Sequence, residues 1–399
     1  MHSKIRPYYL VFCSLNRNFA QKMAGLYIHI PFCKSRCIYC GFYSTTAFEL
    51  RQQYTDALCR EIADRASGSI STIYLGGGTP SQLTLPQLHQ IFDTIYKYNK
   101  VEKDAEVTIE VNPDDVTEEL AAALPALSVN RVSMGAQTFD DERLAFLHRR
   151  HTSRQVGKAI DRLRKAGISN ISIDLMYGFP EETLTSWQQD ISTALSLDVE
   201  HLSAYCLMIE EGTPLYRMQI SPIDEELERT MYELLMDRLE AAGYEHYEIS
   251  NWGLSPRPLQ RERESRSYRS RHNSSYWNQT PYIGIGAAAH SYDGQCCRRW
   301  NISDIRRYID GIRQGTCVYE EEWLDEDTRY NDCVTVALRT CEGINLKNLS
   351  ARHRLYCLEN AQHFIDDGLL KLSHDNHQLS LTRRGLFISD MIMSDLMLV

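Results

Sequence analysis

The chain has 399 residues, 43% of them apolar and 24% charged, enough for a large buried core and two or three domains. A net charge of −10 excludes a general nucleic-acid binder, which needs surplus Lys and Arg to displace phosphate counterions. No apolar run is long enough to span a bilayer, and the twelve cysteines are mostly scattered, as in a reduced, cytoplasmic protein rather than a disulfide scaffold.

Residues 1–22 carry basic residues and a short apolar patch interrupted by Cys13 and Ser14. They are expected to be an untranslated or disordered extension, with Met23 as the working start. From Leu26 the pattern alternates. "LYIHI" (26–30) predicts a strand, then a helix over 49–66, the strand "STIYLGGG", a helix over 84–97 and the strand "EVTIEV" (106–111). Helix 117–124, strand "RVSMGAQ" (131–137), helices 140–147 and 153–166, strand "ISIDLMYG", helix 183–197 and strand "HLSAYCLMI" complete the series. Six strands separated by helices predict an α/β fold with a parallel sheet: a partial (β/α)6, TIM-like barrel over 23–250. A long helix over 224–242, opened by Asp224 and closed by Gly243, and "YEHYEIS" (244–250) end this region.

Residues 251–275 contain an arginine-rich run without apolar periodicity, expected as an exposed loop. Beyond it, 276–399 reads as a small helical, winged-helix-like C-terminal domain. It has helices over 303–314, 326–339 and 356–367, the hairpin "LLKLSHDNHQLSLT" and a terminal helix from 383. Negative charge around 320–327 argues against DNA and for a packing or lid module.

"FCKSRCIYCGFYS" places thiols at Cys33, Cys37 and Cys40 and a phenylalanine, Phe42, where a fourth thiol would look natural. A structural zinc site needs a fourth ligand; His29 is near, but within "YIHIP" it is expected to be held by its strand and to point into the barrel. Ferredoxin clusters also need four cysteines. Three thiolates therefore suit a [4Fe–4S] cluster with one iron left for another ligand. In parallel β/α barrels, ligands sit at the C-terminal ends of the strands. Those ends read Gly76-Gly77-Gly78-Thr79-Pro80, then Glu110, Gln137 and Asp174. "GGGTP" lacks the GxGxxG spacing of a dinucleotide fold but permits close backbone approach to a ligand.

"LYIHIPFCKSRCIYCGFYS" resembles the radical S-adenosylmethionine (SAM) signature of the coproporphyrinogen dehydrogenase/HemW family, and the resemblance runs from residue 25 to about 395. It implies that SAM chelates the free iron and is cleaved to a 5′-deoxyadenosyl radical, with Tyr39 packed beside the cluster. It also implies that Gly77, Gly78 and Thr79 meet the methionine end of SAM. Glu110, Gln137, Arg149 and Asp174 would hold its carboxylate, ribose and adenine groups, and Tyr27 would add a contact. Arg149 lies in "HRRH", which leaves Arg150 as an alternative.

The family divides at position 42. The dehydrogenase branch has a fourth thiol there; Phe42 matches the HemW branch, as does "HNSSYW" (272–277), a motif used for haem, followed by "YIGIGAAAHSYDG". His272 suits an axial haem ligand, Tyr276 and Trp277 could cover the macrocycle, and the arginines upstream could pair with propionates. Cys296 and Cys297 are expected to be buried, with haem ligation as the alternative. The implied function is a haem chaperone that passes haem to haem-requiring respiratory proteins, with an electron donor for the cluster. The main alternative is radical oxidative decarboxylation of coproporphyrinogen III; a radical-SAM methyltransferase and a zinc protein stand behind it.

Overall fold

The computed structural model describes residues 24–65, 68–255 and 267–398. The expected extension at 1–22 and the arginine-rich stretch 256–266 lie outside the described residues. Six parallel strands follow in chain order: β1 (Ala24–Ile30), β2 (Ser69–Gly77), β3 (Lys100–Val111), β4 (Arg131–Gln137), β5 (Asn170–Tyr177) and β6 (His201–Cys206). Their apolar residues are buried almost without interruption, as in Ile70, Ile73 and Leu75 of β2, because helices cover the outer face.

The helix Leu85–Tyr98 shows the local logic. Thr84 and Gln87 form a capping box at its start, and Leu88, Ile91, Phe92 and Ile95 recur at helical spacing and are buried against the sheet. The helix Glu225–Ala241 is opened by Asp224, whose carboxylate accepts from the amides of Glu226 and Leu227.

The sheet is larger than six strands. β7 (Tyr244–Glu248) and β8 (Asn251–Leu254) add antiparallel beyond β6, while β9 (Tyr282–Ile285) pairs in parallel with β1. β10 (His290–Tyr292), β11 (Cys297–Asn301) and β12 (Tyr319–Trp323) extend that edge, giving the order β12-β11-β10-β9-β1-β2-β3-β4-β5-β6-β8-β7. No pairing joins β7 to β12 among the described residues, so the sheet is an open barrel. The stretch expected as one C-terminal domain is thus divided. Ile283, Ile285, Tyr308 and Val318 belong to the barrel's core, whereas a second core gathers Tyr330, Val334, Phe364, Leu379 and Ile392. Cys296 and Cys297, expected buried, are half-buried where the chain enters β11.

The second core carries helices Glu326–Ala337 and Ala351–Asp366 and a wing of β13 (Ile344–Asn345), β14 (Leu370–Leu372) and β15 (Gln378–Leu381). The wing has three strands rather than the expected two, with β15 central, and the terminal helix is split into Arg383–Leu386 and Ser389–Leu396. It is tied to β7 by backbone bonds from Ile249 to Arg339 and from Cys341 to Tyr247, and by Arg339, 2.8 Å from the buried carboxylate of Glu248. Arg339→Met strands that carboxylate and is expected to destabilise the chain by about 3 kcal/mol, read as a lower urea midpoint.

Candidate metal centre and cofactor cleft

The three thiols lie on the loop that leaves β1. Its ends are stapled by Thr45 N–H to the Pro31 carbonyl (2.7 Å) and Cys33 N–H to the Thr45 carbonyl (3.0 Å). Its middle is clamped by buried Ile38, whose amide donates to the Leu147 carbonyl and whose carbonyl accepts from Leu215. Cys33, Cys37 and Cys40 are half-buried, while Lys34, Ser35 and Arg36 between them are exposed. Phe42 is 71% exposed, so the position of a fourth thiol faces solvent. Burial is the largest cause raising the thiols of Cys33 and Cys40, and Cys37 raises both further. Binding a metal there would displace those protons.

Among the described residues no three His, Cys, Asp or Glu side chains converge on one ion. The soft, all-sulfur donor set fits an iron–sulfur cluster, and the glycine turn packs tightly against its loop. A Cβ on Gly78 would stand 2.7 Å from the Pro31 carbonyl carbon and 3.0 Å from Cys33 Sγ. Gly78→Ala is therefore expected to displace the loop and sharply reduce iron incorporation, measured as iron per chain after anaerobic reconstitution, while leaving the far-UV spectrum unchanged.

His29 does not supply a fourth ligand. Its Nδ1 meets Tyr27 Oη at 3.0 Å and its Nε2 the Tyr43 carbonyl at 3.0 Å, and burial pushes it down to about 4. It points into the barrel beneath Gly77, where a Cβ (the φ there is +111°) would come within 2.5 Å of the ring.

The strand ends carry the polar groups. Thr79 Oγ1 lies 3.5 Å from Cys33 Sγ, bringing the glycine turn and the cysteine loop together. Glu110, at the end of β3, accepts from the Gly77 amide (3.1 Å) and from Tyr74 Oη (2.7 Å). Burial is the main cause raising it to about 7; repulsion from Asp174 adds to this, and Tyr74, Gly77 and Arg131 oppose it. Asp174, whose β5 position pairs with Gly135 and Ser203, is raised by burial to about 6. The Ser203 and Ser133 hydroxyls and the guanidinium groups of Arg131 and Arg149 pull it back.

Two buried carboxyls that feel each other's charge are thus both raised toward neutrality. Gln137 sits in the left-handed region (φ 67°) at an irregularity of the β4–β5 pairing. A Cβ on Gly135 would stand 2.6 Å from its Nε2 and 3.1 Å from Arg149 Nη2.

Arg149 and Arg150 diverge. Arg149 donates to Asn112 (2.8 Å), to the Gly135 carbonyl (2.7 Å) and toward Cys37 Sγ (3.6 Å), and its buried Nε has no partner. Arg150 turns away to Asp114 and Asp115. Tyr39 lies close enough to Arg149, Cys37 and Cys40 to feel their charge. Tyr27 is deeper, near the rings of Tyr74 and His272.

Sequence reasoning missed Tyr74, Asn112 and Arg131. Tyr74 shares a strand face with Gly76, a period-2 relation that could have found it. Arg131 is 1% exposed, and its charge acts on both carboxyls. Its one sequence signal is an arginine opening an apolar strand.

His272 corrects an expectation. It was expected in an exposed loop as an axial ligand, yet it is fully buried on a short helix, Arg271–Trp277, capped by Ser270. Its Nδ1 meets Thr72 Oγ1 at 2.8 Å and its Nε2 meets Tyr276 Oη at 2.8 Å, so neither nitrogen is free for iron. The ring stacks on Tyr74 at 5.0 Å, and a Cβ on Gly25 would stand 3.2 Å from it. It is a plug in the barrel interior. The described arginines upstream are also engaged: Arg269 pairs with Glu245 and Glu342, and Arg271 faces Asp104.

A half-barrel with a three-thiol loop over a glycine turn and two raised carboxyls is the framework of a radical SAM protein. The family model described as "Radical SAM superfamily" matches residues 27–194. The fold is shared with the solved structure of coproporphyrinogen III oxidase (HemN) from Escherichia coli, with a TM-score of 0.80 at 23% identity over 94% of this chain and 90% of that one.

Among whole-chain relatives, the "Heme chaperone HemW" of Bacillus subtilis (strain 168) is 35% identical, over 83% of this chain and 87% of its own. That of Lactococcus lactis subsp. lactis is 32% identical over 92% and 95%, and that of Mycobacterium tuberculosis 33% over 94% of each. The chain belongs to the HemW family. Membership implies a [4Fe–4S] cluster and SAM as cofactors.

Proposed function

We propose that the protein is a haem chaperone: it binds haem and delivers it to haem-requiring respiratory proteins, in a cytoplasmic setting, with an outside electron donor for its cluster. The observation that carries this reading is the three-thiol loop with a solvent-facing Phe42 in a chain related along its length to haem chaperones. No helix among the described residues is long and apolar enough to cross a membrane, which is compatible with transient docking to membrane-bound acceptors.

In this reading Cys33, Cys37 and Cys40 would hold the cluster. When bound, the cluster and SAM would supply one-electron chemistry. The chain's own groups prepare the cleft. Gly77, Gly78 and Thr79 bring backbone close to the methionine end of SAM. Glu110, Gln137, Arg149 and Asp174 would hold its carboxylate, ribose and adenine groups, Tyr27 would add a contact, and Tyr39 would pack beside the cluster. Arg149, donating toward Cys37, also steadies the charge of the thiolate set.

The deciding experiment incubates reduced, reconstituted protein with SAM and coproporphyrinogen III, and in parallel titrates it with haem. A haem-dependent Soret band without protoporphyrinogen IX is the expected result. Formation of protoporphyrinogen IX would replace the chaperone reading by the decarboxylase.

A further inference from the structure

The geometry points to a haem seat in the cavity of about 700 Å³ between the Arg271–Trp277 helix and the second core, an assignment that rests on the haem-carrying reading above. That volume falls in the range of about 300–1,000 Å³ typical of small-molecule sites. One wall is built by Ser274 and Trp277 of the helix and Tyr247 of β7, the other by Arg329 and Tyr330 of the helix Glu326–Ala337, with Tyr292 of β10 at the side. Four aromatic side chains suit a flat macrocycle.

The cavity also has donors to spare. Trp277 and Arg329 both line it, and the indole Nε1 of the one and the Nε of the other are buried without a partner. Buried donors left unpaired are rare in native proteins. Arg329 makes no ion pair among the described residues, whereas the charge of Arg269, another lining residue, is taken by Glu245 and Glu342. An unspent guanidinium beside an indole N–H matches the carboxylates of a porphyrin. Arg339 lies over the Trp277 ring at 5.1 Å and holds the indole in place. The motif "HNSSYW" therefore works in two directions. His272 and Tyr276 lock into the barrel through their mutual hydrogen bond, while Ser274 and Trp277 face the cavity.

The test is a haem titration, followed by Soret absorbance, of the full chain and of the variants Ser274→Trp, Trp277→Ala and Arg329→Met. Thermal melting and cluster content are measured for each. Ser274→Trp fills the space without removing a contact, and Arg329→Met removes only the charge and its donors. Each is expected to weaken haem binding by about tenfold or more with cluster content unchanged. Wild-type affinity in folded Ser274→Trp and Arg329→Met overturns the cavity assignment and leaves haem carriage standing. No haem uptake by the wild-type chain overturns haem carriage and the assignment with it.

Discussion

Replacing any one of Cys33, Cys37 or Cys40 by alanine is expected to abolish the cluster. The wild-type chain should take up about four irons and four sulfides on anaerobic reconstitution, and each variant should stay near background. A Cys59→Ser control should behave as wild type, because that thiol lies on the helix Arg51–Arg65 and donates to the Gln90 carbonyl, away from the loop. The effect is large because no other described side chain beside the loop can replace a lost ligand. His29 has both nitrogens engaged, and position 42 carries an exposed phenylalanine. Stoichiometric zinc in place of iron would sink the cluster assignment and the SAM cleft built on it.

Glu110→Gln is expected to act in opposite directions on stability and on cofactor binding. The carboxyl is raised from 4.5 to about 7 in the folded chain. A raised acid costs nothing below about 4.5, where both states hold the proton. The cost grows as pH rises through 4.5–7 and is complete above 7, at about 3 kcal/mol for such a shift. Glutamine removes the charge but keeps one acceptor for Tyr74 or Gly77, so the net gain at pH 8 is roughly 2 kcal/mol. It would appear as a melting temperature a few degrees higher at pH 8 and slightly lower at pH 4.5.

SAM, with its cationic sulfonium and ammonium, should bind the wild type more tightly as pH rises from 6 to 8, as Glu110 and Asp174 ionise. Glu110→Gln should weaken binding and flatten that dependence. Isothermal titration at several pH values checks both, and a variant with wild-type affinity and an unchanged profile would remove Glu110 from the cofactor site.

Much of this was legible in the chain. The alternation of β1 to β6 with helices reads directly from residues such as Leu88, Ile91, Phe92 and Ile95, because one element's buried stripe is a local property of its own sequence. The polar groups at strand ends were legible for the same reason: in a parallel barrel, position along a strand decides which end a side chain occupies. The edge strands β10 to β12 were not. "HSY", "CRRWN" and "YEEEW" have no apolar alternation, and they become strands only because β9 offers an unpaired edge next to β1.

The arginine pair at 149 and 150 shows the boundary between the two kinds of information. Both are equivalent in sequence. Only the fold sends one toward Cys37 and the other to Asp114 and Asp115. His272 shows it more strongly, since a polar stretch with a motif suggested a surface ligand, whereas packing against Tyr74 and Thr72 makes it an interior plug.

Spacing within one loop settles the thiol count and the missing fourth thiol, because neighbours in the chain cannot be far apart. Which groups are left with unspent hydrogen bonds, and which carboxyls stay protonated near neutral pH, depends on partners brought from distant segments. Burial and pairing are properties of the assembled chain.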